Sequence, residues 1–144
     1  ILTYGKINSD QIKDFFKQNN KHSYYDKLLN FYTYLFLRQP EINFIGCFLN
    51  NIMLEVGIVN NSIGKVASQV YEKFIDDIEP IVKKAQENNE IITSISSRKL
   101  TEILQSSFYG ALTRAQSSKN NKQGINLIQI LLNSLRLDFQ KNSI

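Results

Sequence analysis

The residues with reactive side chains are few and far apart. Cys47 is the only cysteine and His22 the only histidine, so an intrachain disulfide and a Cys/His zinc site are both excluded. A nucleophile needs a base beside it, and Cys47 with the distant His22 is the only Cys/His pairing on offer. Cys47 therefore reads as a small buried hydrophobe next to Gly46. Asp76, Asp77 and Glu79 read as residues of a solvated helix face, and the sequence has no glycine-rich phosphate loop. No enzyme, metal or cofactor is expected.

Two other sets can do binding chemistry. Asn51 and Glu55, four apart, share one face of a helix amid apolar neighbours. Burying them unpaired would be costly, so they either tie that helix to its neighbours or polarise one end of a ligand pocket. The aromatic residues admit the same two readings, a filled core or a cavity partly lined by phenols. If a cavity is built, Tyr32 and Phe36 reach it from the second helix, Asn51 and Glu55 from the third, and Tyr71 and Phe74 from the fourth. Its ligand would be largely hydrophobic, with one donor or cationic group answering Glu55.

Helical periodicity dominates the elements that must position these groups, and no segment alternates in the manner of a strand. The sequence predicts an all-α domain of six helices. The first runs from near Ile1 to about Gln18 and is closed by the polar stretch Asn19 to His22; Ser23 caps a second, Tyr24 to Leu37, which is apolar almost all round and so central. Pro40 ends it, and Gly46 to about Val59 forms a third, closed by Asn60-Asn61-Ser62. The fourth, Ile63 to about Asn88, carries Val66, Val70, Phe74, Ile78 and Val82 on one face and should bend at Pro80. Ser96 or Ser97 caps a fifth containing Leu104, Phe108 and Leu112. A sixth runs from Ile125 to Phe139, with a tail from Gln140 to Ile144.

The 144 residues suffice for one core, with no sign of a linker or repeat. The net charge of +4 is dispersed, and Arg38, Arg98, Arg114 and Arg136 make no stripe, which argues against direct contact with DNA. The most apolar stretch, Phe44 to Val59, is interrupted by Asn50, Asn51 and Glu55 and is too short for a bilayer span, so no membrane is expected. Ile1 to Tyr4 shows no start methionine and no signal-peptide pattern, so the chain reads as trimmed, with the reducing cytoplasm as its setting.

Gly46-Cys47-Phe48-Leu49-Asn50-Asn51-Ile52-Met53-Leu54-Glu55 resembles the G-C-x-x-x-N-x-x-x-E helix of TetR/AcrR-type regulators. Ala85 to Ile91 is similar to the A-x-x-x-G-E-L/I ending of the long helix that follows in that family, with Asn89 for the usual glycine, the commonest substitute at a left-handed helix end. Phe108-Tyr109-Gly110-Ala111-Leu112 resembles the L-x-G-A-L piece of the penultimate helix. The matches, between Gly46 and Leu112, lie in register and in order along the domain that the resemblance implies, residues 1–144.

This resemblance implies the C-terminal regulatory domain of a one-component repressor, binding a small hydrophobic effector and forming a homodimer. The last two helices would build a four-helix bundle with their copies through Phe108, Gly110, Ala111, Leu131 and Leu135, with Ser106 and Ser107 permitting close approach. DNA would be reached only through an N-terminal helix-turn-helix that this chain lacks. The alternative is a helical protein–protein interaction module with no regulatory role.

Overall fold

The computed structural model describes residues 1–18 and 22–137. Asn19, Asn20 and Lys21, Phe139 and the tail from Gln140 to Ile144 lie outside the described residues. Six α-helices account for most of the rest: α1 Leu2–Gln18, α2 Tyr24–Leu37, α3 Phe48–Glu55, α4 Asn61–Glu87, α5 Ser97–Ser118 and α6 Lys122–Leu135, with a 3₁₀ turn at Gln39–Ile42. Extended pairing among the described residues is confined to a bridge between Ile91 and Arg136.

Short polar side chains set the helix starts. Ser23 Oγ accepts from the Asp26 N–H at 3.0 Å, Asn60 Oδ1 from Ile63 at 3.1 Å and Ser96 Oγ from Lys99 at 3.2 Å, each satisfying a donor that the first turn leaves free. Asn89, at φ 56°, ends α4 in the left-handed conformation, and the Glu90 N–H closes on the Ala85 carbonyl at 2.9 Å. The helix continues through Pro80.

The third helix is shorter than its sequence pattern suggests, and the sixth is displaced, beginning at Lys122, three residues before Ile125. Gly46 has φ 80° and Cys47 is extended, so α3 begins only at Phe48. The positive φ is what calls for glycine here; a Cβ at Gly46 would in addition have to displace the amide end of the Gln116 side chain of α5. At the other end, α6 stops at Leu135 because the chain then pairs with the α4–α5 connection: Ile92 N–H donates to the Leu135 carbonyl at 2.9 Å and Leu137 N–H to Glu90 at 3.0 Å.

The amphipathic α4 is the hub, in contact with α1, α2, α3 and α5, while α6 closes against α2 and α5. The main core lies among α2, α4, α5 and α6, with Leu28, Phe36, Val82, Leu104 and Leu132 wholly shielded from solvent. Gly124 lets α6 approach α2 closely, since a Cβ there would sit 2.3 Å from the Phe36 ring. A second, smaller cluster of Leu49, Ala67, Val70 and Phe74 lies toward α1 and α3. No described helix is long and apolar enough to cross a membrane.

Candidate ligand cavity between the first two helices

The first helix is fastened to α4 and only lightly to α2. Ser9 Oγ donates to Asp77 Oδ2 at 2.5 Å, Lys73 Nζ reaches Asp77 Oδ1 at 2.5 Å, and Lys13 Nζ lies 3.7 Å from the same oxygen. Asp77 is thus not a solvated-face residue: its side chain is 2% exposed, and a hydroxyl and two ammonium groups surround it, which offsets the cost of its burial. Against α2, α1 has an aromatic contact near its C-terminal end, with Phe15 5.5 Å from both Phe31 and Tyr34 and Phe16 5.0 Å from Phe31.

Between these fastenings α1 and α2 stand apart, and a cavity of about 760 Å³ opens there. Its floor is built from buried Phe74 and Ile78 of α4 and from Gln105, Phe108, Tyr109 and Leu112 of α5. Exposed Ile7, Tyr34, Ile45 and Phe48 mark its mouth. The volume falls within the range of small-molecule sites, and the mix of apolar wall with a few polar groups matches them as well.

The polar groups gather where α1 begins, α2 ends and α3 begins. Cys47 Sγ lies 3.4 Å from the Tyr4 hydroxyl and 3.6 Å from that of Tyr109. Burial, reinforced by the neighbouring thiol, pushes both phenols well above their ordinary range, so they stay neutral hydrogen-bonding groups. Gln105, which also borders the cavity, accepts at Oε1 from the Tyr32 hydroxyl at 3.1 Å. Arg38, the residue closing α2, also borders the space and is near enough to Tyr4 to favour its phenolate electrostatically. Its guanidinium makes no ion pair or hydrogen bond among the described residues.

Of the six residues that the sequence brings toward one cavity, only Phe74 borders it. Tyr32 and Phe36 are wholly buried in the main core, their rings 5.4 and 5.2 Å from Phe108. Tyr71 packs against Tyr109 at 6.0 Å, outside the lining. Asn51 takes the tying role: its amide nitrogen donates to the Ile45 carbonyl at 2.9 Å and its oxygen accepts from Gln116 at 3.2 Å. Glu55, the last residue of α3, is exposed and away from the cavity, so it is not placed to answer a cationic ligand there.

The residues missed by sequence reasoning are Tyr4, Arg38, Gln105 and Tyr109. A signal for two of the walls exists: Tyr4, Asn8, Ile12 and Phe15 on α1, and Gln105, Phe108, Tyr109 and Leu112 on α5, mix polar and apolar side chains on one helical face. The surfaces of α5 and α6 divide similarly. Phe108, Ala111 and Leu135 face the chain's own core, Leu131 is half-buried, and Gly110 is exposed, with nothing within 4 Å of where a Cβ would stand. The outward apolar residues of this pair are Ile103, Leu127 and Ile130. The described residues include no cluster of His, Cys, Asp and Glu suited to a metal ion. No family model, curated protein or solved structure matches the chain.

Proposed function

We propose that this chain is the effector-binding and dimerisation domain of a one-component repressor of the TetR type. A small, largely hydrophobic ligand would occupy the α1–α2 cavity, and DNA would be reached only through a helix-turn-helix preceding Ile1 in the full protein. The observation that carries this reading is the cavity and its position. One wall is α1, the helix that would lead to the DNA-reading part, and α1 is held firmly on α4 but loosely on α2. A ligand filling that gap changes where α1 sits relative to α2, and so the spacing of two DNA-reading heads in a dimer.

Dimerisation through α5 and α6 would use their outward residues. Phe108, Ala111 and Leu135 already serve the chain's own core, so the contact falls to Ile103, Gly110, Leu127, Ile130 and Leu131. Open Gly110 permits a close helix crossing there. Light scattering on a sizing column tests this: we expect a two-fold dimer that Gly110→Arg converts to monomer. A monomer at tens of micromolar, unaffected by Gly110→Arg, would overturn the assembly. It would favour the second reading, a helical interaction module, to which the exposed Leu54, Ile58 and Val59 also lend themselves (53%, 77% and 82% exposed).

A further inference from the structure

We propose that the cavity takes an amphipathic carboxylate, an apolar body ending in a single anionic head, and that Arg38 is the residue that holds the head. This rests on the cavity being a ligand site, as proposed above, and it names the class of ligand.

Arg38 borders the cavity with no carboxylate or hydrogen-bond acceptor engaged by its guanidinium among the described residues. A half-buried guanidinium retains several planar N–H donors, and a carboxylate satisfies two of them at once in a geometry that an ammonium or an alcohol cannot reproduce. The neighbours suit the same head: the Cys47 thiol has one proton to give to the neutral hydroxyls of Tyr4 and Tyr109, which leaves one of the two phenols able to donate, and the buried floor carries no acid. Asp14, the one carboxylate of the lining, is exposed, and ten residues of α1 separate it from Tyr4, roughly 15 Å at the rise of a helix. The remaining floor, from Phe74, Ile78, Phe108 and Leu112, offers only apolar contact and receives the body.

The competing explanation of Arg38 is that a cation at the C-terminal end of α2 merely complements the helix dipole. Calorimetric titration of the chain with decanoate, decanol and decylammonium separates the two. We expect decanoate to bind most tightly. Arg38→Gln should weaken decanoate by roughly ten- to a hundredfold, the range for hydrogen bonds to a charged group, while leaving decanol unchanged. Arg38→Lys should fall between, and Ile12→Trp, which fills the space from the α1 wall, should abolish binding of both. If decylammonium binds as well as decanoate, or Arg38→Gln binds decanoate like the parent while only its melting temperature falls, the proposal is overturned. These measurements need neither dimer nor DNA. A failed dimerisation test therefore leaves the carboxylate assignment standing, and a failed titration leaves the assembly standing.

Discussion

Arg38 and Arg98 each sit at the end of a helix, and they keep opposite company. Arg98, in the first turn of α5, is ion-paired to Glu72, Asp76 and Glu79 of α4, which clamps the two helices together, and to Glu102 one turn along α5. Arg38, at the end of α2, has no such partner among the described residues and borders the cavity. The difference has a direction: around Arg98 the charges that face one another on α4 and α5 are paired, whereas toward α1 and α2 the same two helices floor a void bordered by a cation with no partner among the described residues. A region whose groups are all satisfied has little left with which to bind, so the incomplete side is where a ligand can act.

The largest test of that contrast is packing. Leu104, wholly buried on the closed side, should lose about 2–5 kcal/mol of stability as Leu104→Ala, because both transfer energy and a new void are charged against it. Ile12 is half-buried and already borders empty space, so Ile12→Ala should cost less than about 1 kcal/mol. Denaturant titration measures both, and equal losses would mean that the α1–α2 gap is closed in solution.

Alkaline pH gives the next effect. Burial raises the phenols of Tyr32, Tyr4 and Tyr109 above their ordinary value of 10.0. Unfolding releases them to ionise near that value, so their contribution is full below about pH 10 and is lost as the pH rises toward the folded values. The slope is at most about 1.4 kcal/mol per pH unit for each phenol. Tyr32→Phe on the closed side should remove its share, seen as a shallower fall of the denaturation midpoint above pH 10. An unchanged slope would mean that Tyr32 ionises as readily folded as unfolded.

Asp77 probes the fastening of α1 itself. Asp77→Ala removes the acceptor of Ser9, Lys73 and Lys13, and because both lysines are about half exposed the loss should stay near 1–3 kcal/mol. Amide exchange should quicken in α1 well before α5. Uniform quickening would show that α1 does not open separately.

The closed side was largely legible in the sequence and the open side was not. The 3-and-4 spacing along α4, the caps at Ser23 and Ser96 and the left-handed Asn89 are local features, and local chemistry decides them. Periodicity also turns Tyr32 and Phe36 inward correctly, but it does not tell whether the interior opposite them is filled. Here Gln105 answers the Tyr32 hydroxyl, and Phe36 lies over Gly124, which leaves room for its ring. Asn51 and Glu55 share a helix face in sequence, yet α3 is so short that Asn51 meets the 38–47 connection while Glu55 falls at its exposed end. Arg38 belongs to a turn shaped by Pro40, where spacing carries no information about facing.

The smallest expected effect concerns Arg98. Four carboxylates surround one guanidinium, but its side chain is 34% exposed and two of the partners, Glu72 and Asp76, are more than half exposed. Screening by water and salt therefore leaves the cluster worth about 1 kcal/mol or less. Asp76 and Glu72 hold the guanidinium protonated to values above its already high ordinary range. A raised folded value means that its contribution is complete below the unfolded value and is lost only as pH rises through the folded one, so across neutral pH it is constant. Arg98→Ala should then lower stability by that small amount equally at pH 6 and pH 9, and the deficit should shrink in molar salt, where the Debye length is only about 3 Å. A salt-independent loss of several kcal/mol would show that α4 and α5 are joined chiefly by this cluster and not by the apolar seam beneath it.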